Sequence, residues 1–261
     1  MKPSILILLL LSLSTANVSA ETAEEKGLAI AVEADRRDLG YGDYTANMTM
    51  TLRNRHGQES VRAIRFQALE VEGDGDKSIT VFDNPRDVKG TSFLSYSHKQ
   101  DDDDRWLYLP ALKRVKRISS GNKSGSFMGS EFAYEDISSQ EVEKYTYKWL
   151  RNEVYDGRDC FVVEYYPVDR KNSGYSRQVN WLDKQEYRVW KVEYYDRKNS
   201  HLKTLTITGY ELYMDSYWRA AEYNMVNHQN GKSTLLQLDD YQFATGLTDA
   251  DFSRNALKRM R

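Results

Sequence analysis

Cysteine is almost missing from this chain. Cys160 is the single one in 261 residues, so no internal disulfide can form and a disulfide-framed fold is excluded. It sits in the apolar run Cys160-Phe161-Val162-Val163, where a small buried core residue is expected. Proline is scarce as well, with four residues, and no segment has the composition of a flexible linker or a low-complexity tract. The four histidines are scattered, with no two at the i, i+4 spacing of a zinc helix, so each is expected to be a strand or surface side chain. Charge of one sign is also missing: 37 Lys and Arg against 39 Asp and Glu give a formal net charge of -2, which argues against a nucleic-acid coat. A long apolar run occurs only at the start. Lys2, the stretch Ile5–Leu13 and the small residues Val18-Ser19-Ala20 have the organisation of a secretory leader, too short to span a bilayer. Cleavage is expected after Ala20. Glu21, not cysteine, would then lead, so no amino-terminal lipid is expected and residues 21–261 are expected to form one exported, soluble domain.

Tyrosine and alternation are abundant. Nineteen tyrosines suit strands and half-wet surfaces. Ala23–Asp38 has a helical pattern, with Leu28, Ile30, Ala31 and Ala34 on one side and Gly40 beyond its end. Period two then takes over. Ala46, Met48, Met50 and Leu52 alternate with polar residues, and similar segments recur across short turns such as Asn54-Arg55-His56-Gly57 and Tyr155-Asp156-Gly157-Arg158. Short connections imply antiparallel neighbours. A meander of about ten strands with few helices to cover it is expected to curl into a half-barrel or barrel; two separate sandwiches are the competing architecture. Near the end, Thr248-Asp249-Ala250-Asp251 can cap a short helix that lays Phe252 and Leu257 on the sheet.

Catalytic signatures are missing. No G-x-S-x-G elbow or Gly-rich phosphate loop occurs, and the two S-x-x-K matches, at Ser120–Lys123 and Ser200–Lys203, fall in a polar loop and a strand. Asp101–Asp104 lacks the spacing of a calcium loop and is expected to be a solvated turn. Neither an enzyme, a cofactor nor a metal is expected.

The most informative stretch is Arg105–Ile137. An aromatic strand with Trp106 and Tyr108 turns at Pro110 into a basic arm, Lys113, Arg114, Lys116 and Arg117, whose charges fall on both faces of a strand. That pattern suits an edge or rim. Lysines there can simply block strand pairing, or the arm can dock on an acidic partner or anionic headgroups. After a Ser/Gly/Asn loop come Phe127, Met128 and Phe132 among glycines and serines, which can plug the core or form a movable lid over an apolar cavity. Trp106, Tyr108, Trp149, Trp181 and Trp190 can line such a cavity or fill ordinary core.

The succession Asp104-Arg105-Trp106-Leu107-Tyr108-Leu109-Pro110, Lys113–Ile118 and Phe127-Met128-Gly129-Ser130-Glu131-Phe132-Ala133-Tyr134-Glu135-Asp136 resembles the hallmark of outer membrane lipoprotein-sorting proteins, relatives of the periplasmic carrier LolA and the receptor LolB. The amino-terminal helix, meander and length are similar over essentially the whole mature chain. The resemblance implies an unclosed antiparallel β-barrel, helices as a lid, and an apolar cavity for the acyl chains of lipids or lipoproteins. It also implies work beside an inner-membrane exporter of the RND superfamily. The cargo is left open. The alternative expectation is a non-carrier accessory subunit that regulates an exporter by protein contact.

Overall fold

The computed structural model describes residues 20–259; the leader read over residues 1–20 lies, apart from Ala20, outside the described residues. The chain opens with α1 (Ala23–Arg36). Thr22 caps it: its side chain accepts from the Glu25 amide while Glu25 reaches back to the Thr22 amide. The helix buries Gly27, Ile30 and Ala31, whereas Leu28, expected on the same side, is exposed.

Thirteen strands follow in one antiparallel sheet: β1 (Asp43–Arg53), β2 (Glu59–Leu69), β3 (Lys77–Asn84), β4 (Ser92–Tyr96), β5 (Asp104–Leu109), β6 (Arg114–Ile118), β7 (Tyr145–Tyr155), β8 (Arg158–Pro167), β9 (Tyr175–Asp183), β10 (Val189–Asp196), β11 (His201–Tyr213), β12 (Tyr217–Asn227) and β13 (Ser233–Phe243). The count exceeds the expected ten or so because the aromatic strand and the basic arm join the same sheet as β5 and β6. The order is β6-β5-β4-β3-β2-β1-β13-β12-β11-β10-β9-β8-β7, so the meander is broken once, where β1 pairs with β13. β6 and β7 are free edges and the sheet is unclosed.

The sheet is curled. β2 and β9 have five strands between them, which at about 4.8 Å per strand would separate them by about 29 Å in a flat sheet. Phe66 on β2 and Asn180 on β9 nonetheless line one cavity. Alternation on β1 sends Met48, Met50 and Leu52 into the main core with Ile64, Phe82 and Phe93. The β7–β8 hairpin turns through Asp156 and Gly157, both at positive φ, the geometry that matches the twist of its strands.

Helices cover both faces. Tyr147, Val163, Tyr165 and Leu182, on the cavity side of β7–β9, pack under α1 through Ile30 and Ala31. On the opposite face, α2 (Arg254–Leu257) and Phe252 pack on Ile79, Val81, Leu94 and Tyr108. Phe252 and Leu257 reach the sheet as expected, but Ser253 rather than Thr248 caps the helix, accepting from the Ala256 amide at 3.1 Å. Among the described residues no helix is long and apolar enough to cross a membrane.

Helix α1 lies so close to β7 that a Cβ on Gly27 would stand 2.7 Å from the Trp149 amide nitrogen. In a free helix Gly27→Ala would gain about 1 kcal/mol; here it is expected to lose about 1–2 kcal/mol through overpacking. The check is a lower urea midpoint with unchanged slope.

Candidate functional site

The curl encloses a cavity of about 320 Å³. Its walls come from β1, β2 and β9–β13, with Met48, Phe66, Val192, Leu205, Ile207 and Leu236 as typical apolar members. Residues of one parity on each strand supply them, with the parity changing only across the bulges that precede Val192 on β10 and Tyr241 on β13, so the cavity is the unfilled remainder of the sheet's inner face. Phe132 and Ile137, with the polar Glu135, Asp136, Ser138 and Gln140, all from the connection between the two free edges, form the remaining wall.

That connection, residues 119–144, is a plug. Phe127 is fully buried, with ring centroids 6.0 Å from Phe82, 5.2 Å from Phe93 and 5.6 Å from Tyr134. Phe132 is buried and Met128 packs beside the same cluster. Of the two sequence readings of Phe127, Met128 and Phe132, core filling is the state seen. Exposed backbone inside a core must find partners, and here side chains from the sheet supply them. Arg62 donates to the Met128 carbonyl at 2.5 Å, the Glu131 amide donates to Thr234 Oγ1 at 3.0 Å, and Asn227 donates to the Glu131 carboxylate at 2.7 Å.

The strongest tie is ionic. Lys203 Nζ donates to Asp136 Oδ2 at 2.7 Å and to the Glu131 carbonyl at 2.8 Å, and both charged side chains are only 4% exposed. Tyr175 also donates to Asp136, at 2.9 Å, and its hydroxyl is held well above its ordinary pKa by burial and by the neighbouring carboxylates. The rings of Tyr175 and Tyr194 stand 5.0 and 5.1 Å from Lys203 Nζ. Sequence reasoning missed Lys203. Its signal was a charge at the same strand parity as Leu205 and Ile207.

The five aromatic residues expected at the cavity do not line it. Trp106 and Tyr108 face the other side of the sheet: Trp106 pairs with Leu94 and packs with Tyr108 in the cluster under α2, while Leu107 between them turns inward. Trp181 is also on the outer face, with Val162 and Val179, donating to Glu153 at 3.1 Å. Trp149 is on the inner face but lies beneath α1, with Lys26 Nζ 3.6 Å from its ring. Trp190 donates to Asp183 at 2.8 Å and is stacked by the Arg158 guanidinium at 3.6 Å. These strands are apolar on both faces, since Tyr108 packs under α2 and Trp181 packs with Val162 and Val179 on the outer face, so alternation alone could not tell inside from outside. Polar residues that do reach the cavity are Gln178, Asn180 and Arg219 from the strands and Glu135, Asp136, Ser138 and Gln140 from the connection.

The basic arm is the free edge. Lys113, Arg114, Lys116 and Arg117 are exposed on β6 and its turn, with Arg117 paired to Asp104. The acidic run is a turn neutralised by its surroundings: Asp103 pairs with Arg105 and with Lys144, and Asp102 accepts from Ser120. Cys160 is buried, which pushes its thiol up. Among the described residues no cluster of three or more His, Cys, Asp or Glu could hold a metal ion.

A second, acidic crevice lies where α1 ends and the β2–β3 turn meets residues 139–141. Burial pushes the Glu141 carboxyl up to about 7 and that of Asp76 up to about 6, although Tyr41 donates to Asp76 at 2.8 Å.

These features define a class of open, curled β-sheet proteins that keep a plugged apolar cavity. A family model described as "Uncharacterized protein" matches residues 74–259. A domain described as an outer membrane lipoprotein-sorting protein domain from Vibrio parahaemolyticus is 59% identical over 90% of this chain and 100% of its own, with a TM-score of 0.89. A DUF1329 family protein from Desulfovibrio piger is 33% identical over 90% of this chain and 99% of its own, at a TM-score of 0.84. A LolA superfamily protein from Nitrosomonas europaea, 22% identical over 91% of this chain and 100% of its own, shares the fold at a TM-score of 0.70. No curated protein matches in sequence. The chain belongs to the family of the lipoprotein-sorting domain and the DUF1329 protein, and its likeness to the LolA superfamily protein is one of fold.

Removing one partner of a buried ion pair strands the other charge. Lys203→Met is expected to cost about 3–5 kcal/mol, and Lys203→Met with Asp136→Asn less than that, because no unpaired charge remains. Urea unfolding of the two variants checks the order.

For Glu141 and Asp76 the folded values exceed the unfolded 4.5 and 3.8, so the native state holds the extra protons. Their contribution is then fully present below the unfolded values and is lost as pH rises through about 6 to about 7. The urea midpoint of the wild type should fall across that window, and Glu141→Gln should flatten the fall.

Proposed function

We propose that this protein is a periplasmic carrier that binds the acyl chains of lipids or lipoproteins within the curl of its sheet and passes them toward the outer membrane. It acts by non-covalent binding, beside an inner-membrane exporter of the RND superfamily. The observation that carries this reading is the mainly apolar cavity of about 320 Å³ within the curl of the sheet. Cores are packed nearly without voids, so a space of this size lined mainly by aliphatic and aromatic side chains is a place for an apolar guest. It falls at the lower end of ligand pockets, about 300–1,000 Å³. The relatives described as lipoprotein-sorting and LolA superfamily proteins support the same class of cargo.

The energetics give the carrier its purpose. Bringing an acyl chain of about sixteen carbons through water exposes about 12 kcal/mol of transfer cost, at about 0.8 kcal/mol per methylene. An apolar interior removes that barrier. Phe132 and Ile137, on the irregular connection, form the one wall that is not a strand. The segment bearing Phe127, Met128 and Phe132 is accordingly the lid that yields when a longer chain enters. The exposed arm Lys113, Arg114, Lys116 and Arg117 meets anionic headgroups or the partner, each basic residue contributing about 1 kcal/mol near a charged surface.

Delipidated protein should bind a fluorescent fatty acid with saturable, single-site behaviour. Failure to bind, together with crosslinking to an exporter and no copurifying lipid, would favour the second reading, an accessory subunit acting by protein contact. The plug formed by Phe127 and its neighbours is the observation on that side. Replacing the four arm residues with glutamine should weaken cosedimentation with phosphatidylglycerol vesicles at least tenfold, about 1.4 kcal/mol, at unchanged melting temperature. A collapse of the melting temperature would make the arm structural.

A further inference from the structure

Two of the four histidines meet on the outer face of the sheet. His201 opens β11, and His228 directly follows β12. Their ring centroids are 4.5 Å apart with the planes inclined at 36°, and both side chains are exposed. Each turns its Nε2 toward the same oxygen. Thr204 Oγ1 lies 3.1 Å from His201 Nε2 and 2.8 Å from His228 Nε2. No spacing along the chain announces this pair, because strand pairing makes it.

A regular strand would not bring these groups together. His201 and Thr204 are three residues apart, which in an unbroken strand puts them on opposite faces. Lys203, Leu205 and Ile207 point inward, so Thr204 points out. A bulge corrects the parity: the neighbours Tyr194 and Tyr195 on β10 pair with Lys203 and His201, which leaves Leu202 as an extra residue. Bulges of this kind re-aim a side chain, and here His201 is returned to the face of Thr204. His228 arrives from the other side, where Lys203 pairs with Asn227 and the His228 amide donates to the Leu202 carbonyl at 2.9 Å.

The surroundings are negative. Glu193 stands directly opposite Thr204 on β10, its carboxylate accepting from Lys191 at 2.6 Å and from Tyr195 at 3.1 Å. Asp196 accepts from Gln229, next to His228, at 2.9 Å. Both carboxylates are engaged, so they lend charge to the place and not a bond.

The Thr204 hydroxyl has one proton, so it donates to one ring and accepts from the other. Two imidazole nitrogens converging on one point also form a ligand pair of borderline softness. Such a pair suits copper, nickel and zinc, whereas calcium and magnesium take oxygen. Two bonds of about 2.0–2.1 Å place the nitrogens within about 4.2 Å of each other, and rings 4.5 Å apart between centroids are set for that span. A structural zinc site takes four ligands. This pair instead fits an exposed site whose shell is completed by water.

We propose that His201 and His228 bind one divalent transition-metal ion between their Nε2 atoms, Cu²⁺ most tightly and Zn²⁺ and Ni²⁺ less so. The ion replaces the two hydrogen bonds to Thr204. It links the start of β11 to the end of β12, beside Asn227, which donates to Glu131 in the plug. The site is on the opposite face from the cavity and does not depend on the carrier reading.

The test is titration of the untagged mature chain with copper(II) chloride, followed by calorimetry and electron paramagnetic resonance. One Cu²⁺ per chain with two nitrogen ligands is expected. Outer-shell partners of metal ligands are worth about 10–100-fold in affinity, so His201→Gln and His228→Gln should each weaken the site at least about tenfold. Each should also lower the nitrogen count to one, a readout that a change in stability does not move. His56→Gln and His98→Gln should leave binding unchanged. Zn²⁺ should compete with Cu²⁺ and Ca²⁺ should not. Because the ion binds only the folded pair, Zn²⁺ should raise the melting temperature of the wild type, reversibly with chelator, and not that of either variant. Binding that survives in either His201→Gln or His228→Gln at wild-type strength overturns the proposal. So do loss of binding with His56 or His98, equal competition by Ca²⁺, and the lack of any saturable Cu²⁺ binding.

Discussion

A buried ion pair between Lys203 and Asp136 holds the β6–β7 connection inside the sheet, and the arrangement of the interior depends on it. The sheet is unclosed, so its inner face cannot be sealed by strand pairing. Helix α1 covers only the β7–β9 end of that face. The rest must be filled by the irregular connection, whose backbone carries polar groups into an apolar space. Lys203 resolves the conflict at one point by satisfying the Asp136 carboxylate and the Glu131 carbonyl together. At Phe127 the connection pairs its own backbone, the Phe127 amide donating to the Phe132 carbonyl and the Ser130 amide to the Phe127 carbonyl.

The same connection gives the cavity its character. Where it packs tightly, around Phe127, the interior is core; beyond Phe132 and Ile137, it leaves space. A cavity bounded on one side by loop and on the others by strands has one wall held by side-chain ties and six or more held by backbone ladders. Any adjustment to a guest is cheapest at the loop.

Much of the fold was legible. The capping box at Thr22 and Glu25, the alternation of Met48, Met50 and Leu52, and the Asp156-Gly157 turn each carry a local physical signal, and each element stands where that signal puts it. The candidate site was far less legible. Large aromatics were natural candidates for a cavity, yet Trp106, Tyr108 and Trp181 face outward and Trp149 lies under α1. Better signals were charged or amide residues at inward parity, Lys203, Arg219 and Asn180, which break an apolar row; for Lys203 the reason is its pairing with Asp136.

Period-two patterning, capping and turn chemistry act between residues near in sequence, so the chain alone determined its β-rich class, the opening helix, the antiparallel hairpins and the exposed basic edge. Which face of each strand turns inward depended on where α1, α2 and the β6–β7 connection came to rest. So did the joining of β1 to β13, the pairing of Lys203 with Asp136, and the residues left around the cavity. Those are contacts between residues far apart along the chain, and their energies exist only after the sheet has curled.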